Sequence, residues 1–244
     1  MEWTQLLDRN GAVLHYVEGT RDGLPLADLA RVPEGRSVGD AVAVLLQRNA
    51  GYLLATEDRP LAEGVLAAGG RQIRHAFVMS AETAGHREAA VIETVPRSSV
   101  DVRAFLHGWL TAYPPGHPDH EEGTDDEIIA RCWDEYDERD WIAREHRSTG
   151  LVLEDGQIAA GIIVGIRPQP VPFGGPWVRD VWRVPEVSQP GTGAALLAQS
   201  MRMLDEDGLP TLGLTVSAGN PARRVYERLG FVQQLESWTV LIPD

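Results

Sequence analysis

The sequence is poor in thiols, in paired histidines, in long apolar runs and in positive charge, and each shortage removes a class of function. Cys132 is the only cysteine, so no internal disulfide can form and no zinc site can rest on several thiolates. Such a cysteine reads first as a small buried residue on a helix, not as a nucleophile. The seven histidines are scattered, without a His-x-x-x-His pair on a convincing helix, which speaks against a metal enzyme. No apolar run approaches the roughly 20 residues of a membrane span, so no membrane partner is expected. Basic residues number 22 against 36 acidic ones, a formal net charge of -14. That surplus repels phosphate, so nucleic acid is not an expected partner, and a cationic or neutral small molecule is easier to accommodate. The opening Met1-Glu2-Trp3-Thr4-Gln5 has no basic region followed by an apolar stretch, which makes the cytoplasm the expected compartment.

What is present is an ordinary globular composition, 43% hydrophobic and 24% charged over 244 residues, enough for one large domain or two small ones. The region up to about Ala84 reads as alternating short helices and strands. Its pieces are a helix over Val38 to Asn49 with Val42, Leu45 and Leu46 at helical spacing, and a strand over Gly51 to Ala55. A helix over Pro60 to Ala68, stopped by Gly69-Gly70, and a strand over Ile73 to Met79 follow. Ser80 to Glu88 is polar and reads as a linker.

The remainder opens with a strand over Ala89 to Val95 and a helix over Val100 to Tyr113, capped by Ser98 or Ser99, with Val102, Phe105, Leu106 and Leu110 on its apolar side. His117 to Asp126 is acidic and reads as an exposed, solvated loop; should it rim a cleft, Asp119, Glu121, Glu122, Asp125 and Asp126 would favour a cationic partner. A helix over Glu127 to Glu145 should turn Ile128, Ile129, Cys132, Trp133 and Tyr136 to the core. Asp155-Gly156 then marks a hairpin between Thr149–Glu154 and Gln157–Arg167. Strand Trp177–Val184, helix Thr192–Asp207, strand Thr211–Ser217, helix Pro221–Leu229 and strand Phe231–Ile242 complete the chain. This order predicts a mixed α/β (α+β) fold, a mainly antiparallel sheet flanked by helices, with parallel pairing where a helix crosses over between Trp177–Val184 and Thr211–Ser217.

The segment with the clearest chemistry is Ser188-Gln189-Pro190-Gly191-Thr192-Gly193-Ala194, between a strand and a helix. Glycines let a backbone approach a ligand, and the N–H groups at a helix start suit phosphate. A plain tight turn is the competing reading. Position 196 is leucine, which excludes the Gly-x-Gly-x-x-Gly dinucleotide fingerprint, and no Gly-Lys-Thr/Ser follows, which excludes a Walker loop.

Val184-Pro185-Glu186-Val187-Ser188-Gln189-Pro190-Gly191-Thr192-Gly193-Ala194 resembles the acetyl-CoA-binding segment of the GNAT superfamily of N-acetyltransferases, Val-x-Pro-x-x-Arg/Gln-x-x-Gly-x-Gly/Ala. Asn220-Pro221-Ala222-Arg223-Arg224-Val225-Tyr226-Glu227-Arg228-Leu229-Gly230-Phe231 resembles the later family segment Asn…Ala-x-x-x-Tyr-x-x-x-Gly-Phe. The resemblance covers roughly Glu88 to Asp244 and departs from the family where Ser188 replaces arginine or glutamine and where Pro190, lacking an N–H, enters the cradle.

The resemblance implies central parallel strands that splay, and acetyl-CoA held between them by Trp182, Arg183, Val184, Ser188, Gln189, Gly191, Thr192, Gly193, Ala194, Asn220, Ala222 and Tyr226. It implies transfer to a small-molecule or peptide amine by direct attack in a ternary complex. Tyr226 is then the acid that protonates the departing sulfur; without the resemblance it reads as a half-buried core aromatic on a stripe with Ala222, Val225 and Leu229. Asp180, four residues before Val184 and on the same strand face, is the candidate base, with a solvated or salt-bridged carboxylate as the alternative. A catalytically inactive coenzyme A-binding module is the other reading of the whole chain. Residues 88–244 are expected to form the catalytic domain. Residues 1–84 loosely parallel its second half and are expected to be a shortened, degenerate copy, with Glu63 or Gly64 where a catalytic tyrosine would be sought.

Overall fold

Two glycines with positive φ, Gly11 at 112° and Gly23 at 75°, turn the start of the chain into antiparallel strands. These are β1 (Trp3–Asp8), β2 (Gly11–Arg21) and β3 (Leu24–Arg31). The expected alternation of helices and strands is therefore corrected here: among the described residues no helix forms before Val38. Turns with positive φ join strands, and β2 buries Val13, Leu14 and Tyr16.

The computed structural model describes residues 2–21, 23–86, 92–96, 99–136, 142–143, 149–152, 156–167 and 174–244. The chain divides into two units, Met1–Val78 with Gln234–Asp244, and Met79–Gln233.

In the first unit, α1 (Val38–Arg48) begins at Ser37, whose side chain accepts from the Asp40 amide, and α2 (Arg59–Ala67) begins at Asp58, which accepts from the Leu61 amide at 3.1 Å. Between them lies β4 (Leu53–Thr56). The strand order is β1-β2-β3-β4-β12-β5, where β5 starts at Arg71 and runs to Glu82, and β12 spans Val232–Leu241. Leu14, Leu45, Leu54, Leu61 and Val240 fill the core beneath the two helices. A Cβ on Gly64 would come within 2.8 Å of Val42 Cγ2, so α1 and α2 approach too closely there for any side chain.

In the second unit the expected linker begins later than Ser80, because β5 continues to Glu82 and buried Thr83 donates its hydroxyl to Leu209 O at 2.7 Å and its amide to Pro210 O at 2.9 Å. The expected strand over Ala89 to Val95 is reduced to β6 (Val95–Pro96), with 89–91 outside the described residues. Helix α3 (Val102–Ala112) is capped by Asp101, which accepts from the Ala104 amide at 2.9 Å; Ser99 precedes the cap, and Ser98 lies outside the described residues. Helix α4 (Asp125–Tyr136) is closed by a capping box between Thr124 and Glu127. It does not continue to Glu145: Ile142–Ala143 form β7 against Ile166 and Gly165. The side chains of Cys132, Trp133 and Tyr136 lie outside the described residues.

The expected hairpin is present as β8 (Thr149–Val152) and β9 (Ile158–Arg167), with Gly156 at φ 83° and Asp155 outside the described residues. Then come β10 (Gly175–Arg183), α5 (Thr192–Glu206), β11 (Thr211–Ser217) and α6 (Arg223–Arg228). Within this unit the strands run β11-β10-β9-β8-β6, with β7 beside β9. All pairs among them are antiparallel except β10 with β11. The fold is the mixed α/β, mainly antiparallel arrangement the sequence predicts.

Candidate active site

Two features of β10 create the site. First, it pairs with β11 only at Trp177↔Gly213 and Val178↔Leu214, and beyond that rung the parallel strands part. The first of these rungs is tight, because the Trp177 ring lies where a Cβ on Gly213 would sit. Second, β10 holds one extra residue against β9, since Val178 faces Val164 while Asp180 faces Ile163. A bulge of this kind re-aims the side chains after it. Asp180, Trp182 and Val184 consequently share the face packed on α3, where Phe105 meets the Trp182 ring edge-on at 5.1 Å.

The Asp180 carboxylate accepts from Tyr113 Oη at 2.8 Å and from Trp109 Nε1. Tyr113 Oη also lies 3.1 Å from Val181 O. Burial pushes the Asp180 carboxyl up to about 7, and the charge of Asp119 adds to the rise, while the hydrogen bonds from Tyr113, Trp109 and the Val181 amide oppose it. A carboxyl in that range exchanges protons near neutral pH, which is what a base requires. Burial also holds the Tyr113 phenol well above its ordinary value, aided by Asp180.

Tyr226, 8% exposed, stands on α6 with its ring 6.0 Å from that of Phe231. Its hydroxyl has no hydrogen-bond partner among the described residues. Burial raises its pKa far above the phenol value, and the charges of Asp180 and Asp119 raise it further. The phenol is therefore a proton donor throughout the neutral range, and both carboxylates lie close enough to act on it.

The expected exposed loop holds a surprise. Asp119 is not a solvated member of the acidic run: its two oxygens accept from Ser217 Oγ and, at 2.6 Å, from Asn220 Nδ2. Asn220 Oδ1 in turn accepts from the Ala222 amide at 2.8 Å, at the turn into α6.

The cradle residues form the turn into α5. Gly191 takes φ 96°, which a side chain would oppose, and no side chain caps the helix. The Thr192 amide reaches back to Gln189 O at 3.2 Å, whereas the amides of Gly193 and Ala194 have no backbone acceptor among the described residues. A Cβ on Gly193 would meet nothing within 4 Å. Ser188 is buried, and its hydroxyl donates to Val184 O at 2.6 Å; Gln189 and Pro190 are exposed. The Val184 amide donates to Ala159 O at 2.8 Å. Ladder alternation then sends the amides of Val181 and Arg183 away from β9; the Asp180 carboxylate takes the first, and the second faces the gap.

The chain matches the model of the acetyltransferase (GNAT) family over residues 105–231, just over half its length. It belongs to that family. No curated protein matches this GNAT chain. Among solved structures it is similar to a GCN5-related N-acetyltransferase of Sphaerobacter thermophilus, with TM-score 0.66 and 15% identity over 98% of this chain and 80% of that one. A functionally unknown conserved protein of Staphylococcus epidermidis gives 0.59 and 15% over 91% and 84%. A tandem GNAT protein from the clavulanic acid biosynthesis pathway gives 0.58 and 15% over 97% and 81%. At such identities the likeness is one of fold.

Sequence reasoning missed four members of this GNAT site: Trp109, Tyr113, Asp119 and Ser217. Trp109 and Tyr113 follow Phe105 at steps of four, a helical stripe whose polar tips were the available signal. Asp119 carried nothing to set it apart, being one acid among Glu121, Glu122, Asp125 and Asp126 in a loop read as solvated or cleft-rimming.

Proposed function

We propose that this GNAT chain is an N-acetyltransferase that moves an acetyl group from acetyl-CoA to a primary amine by direct attack in a ternary complex. The observation that carries the reading is the pairing of Tyr226, a buried phenol with no partner among the described residues, with a near-neutral Asp180 beside the parted strands.

The residues fit the coenzyme. The uncapped start of α5 offers the amides of Gly193 and Ala194 to phosphate, and Gly193 lacks a side chain where the protein itself would tolerate one. Gly191, Thr192 and exposed Gln189 complete the turn, and buried Ser188 braces it from within. Trp182, Arg183 and Val184 flank the gap between the strands, and Asn220 and Ala222 form its far rim, with Arg183 contributing an amide and Val184 its packing. Bound there, the coenzyme supplies an activated thioester. Asp180 takes the proton that the amine loses on attack, Tyr226 gives its proton to the departing sulfur, and the amide of Arg183 stabilises charge on the carbonyl oxygen.

The acidic surroundings, Asp119 and Asp180 included, favour a cationic acceptor. The first unit is proposed as a degenerate copy without chemistry of its own, since Val42 fills the space at Gly64. Among the described residues no helix is long and apolar enough to cross a membrane, and the cytoplasm is the compartment proposed.

The test is calorimetric titration with acetyl-CoA, free adenine nucleotides serving as control, followed by an amine panel. Saturable one-site binding with turnover supports the transferase. Binding without turnover on any amine supports the inactive coenzyme-binding module instead.

A further inference from the structure

We propose that Asp119 is a positioning residue that latches the connection between α3 and α4 onto the end of β11 and the start of α6, and so fixes where Tyr226 stands. The inference rests on the transferase reading for its effect on turnover, although the latch is a matter of geometry.

The bonds form one continuous path. Asp119 accepts from Ser217, the last residue of β11, and from Asn220 in the following turn. Asn220 accepts from the Ala222 amide, and the Tyr226 amide donates to Ala222 O at 3.1 Å. The helix that bears the phenol is only six residues long and has no side-chain cap bond of its own. Short helices are held by tertiary contacts, not by propensity, and Asp119 supplies such a contact from a loop distant in sequence.

The loop is itself held in shape. The Asp119 amide donates to His117 Nδ1 at 3.1 Å, the His117 ring rests 4.8 Å from the Tyr113 ring, and His120 Nδ1 lies 2.8 Å from Tyr113 O. Tyr113 in turn holds Asp180. One stretch, Tyr113 to Asp119, therefore touches both the candidate base and the turn that aims the candidate acid. No lysine or arginine partner of Asp119 is found among the described residues and the His117 ring stands 4.0 Å from its Oδ2, so the latch itself is made with the neutral donors Ser217 and Asn220.

Asn at position 119 can preserve the latch, because the Ser217 hydroxyl can turn to accept from the new amide while the Asn220 amide still donates to the remaining oxygen. Asp119→Ala cannot. Expected is a loss of roughly tenfold or more in kcat for Asp119→Ala, as misplacement of a reacting group produces, with acetyl-CoA affinity little changed and recovery to within about threefold in Asp119→Asn. Asn220→Ala and the double variant should lose no more than Asp119→Ala alone, since all break one path.

A readout independent of turnover is the carbon-13 resonance of Tyr226, assigned through Tyr226→Phe: it should move in Asp119→Ala and stay in Asp119→Asn. Additive losses, equal damage from Asn and Ala, or an unmoved resonance in Asp119→Ala overturn the latch. If the wild-type chain transfers no acetyl group, the transferase reading fails, and the resonance alone then decides the latch in either direction.

Discussion

Two segments follow one local plan and arrive at different contents. In the first unit β4 leads through Asp58 into α2 and ends at Gly69; in the second, β11 leads through Asn220 into α6 and ends at Gly230. Both turns are tied by a side chain onto the next amides, Asp58 onto Leu61 and Asn220 onto Ala222. Thr56, at the end of β4, spends its hydroxyl inside its own unit on Ala30 O and the Asp58 amide. Ser217, at the end of β11, gives its hydroxyl to Asp119. On the helices the contrast is sharper: Gly64 admits Val42, and Tyr226 presents a phenol that nothing among the described residues satisfies. A fold can use one turn to close a core and another to leave a reactive group unspent.

Removing the phenol should erase the contrast most completely. Tyr226→Phe is expected to lower kcat by about 100- to 1,000-fold, the range for a lost proton donor, while calorimetry finds the acetyl-CoA Kd unchanged. Turnover equal to wild type across pH would end the general-acid role.

Asp180→Asn should cost roughly 100-fold in kcat/KM near pH 7. The network can survive it, with Trp109 donating to the remaining oxygen and Tyr113 accepting from the new amide while donating to Val181 O. The same variant tests linkage. The Asp180 carboxyl titrates at about 7 in the fold against an ordinary 3.8, so the folded chain holds that proton more tightly. Its contribution to stability is complete below the ordinary value and is lost as pH rises towards about 7. Thermal unfolding should therefore show wild type losing stability between pH 5 and pH 8 by more than Asp180→Asn does. Equal losses would contradict the raised carboxyl.

Gly193→Leu should weaken acetyl-CoA by about tenfold, the cost of one or two lost N–H···phosphate bonds, without lowering Tm, because the protein leaves that space open. The smallest functional effect belongs to the first unit. Gly64→Ala presses on Val42 and should cost about 1–3 kcal/mol of stability, with kcat per folded molecule unchanged. A large fall in kcat would show that the first unit does take part in the chemistry.

Legibility in the sequence followed the range of the interactions involved. Helices α1, α2 and α5 and strands β10 and β11 carry their own periodicity and their own glycine or proline stops, so short windows sufficed. The three opening strands escaped because no short window there alternates cleanly enough to outweigh a helical reading. Asp180 and Tyr226 were legible as candidates, one by strand parity and one by resemblance. Trp109, Tyr113 and Asp119 were not, because each is defined by a partner far along the chain: Asp180 lies 71 positions beyond Trp109 and Asn220 lies 101 beyond Asp119. Local pattern shows which residues are apolar or acidic; it does not show which acid folds inward.

The extra residue in β10 has a genetic consequence. Every substitution at Arg179 preserves the residue count, whereas loss of that codon would leave Val178 opposite Val164 and Asp180 opposite Ile163 in an unbroken ladder, with the bulge gone. Composition and pairing partners would barely change, yet the local bend and twist that the bulge gives β10 would be lost. Deleting that one codon therefore separates what the bend of β10 does from what its pairing does, which no substitution can.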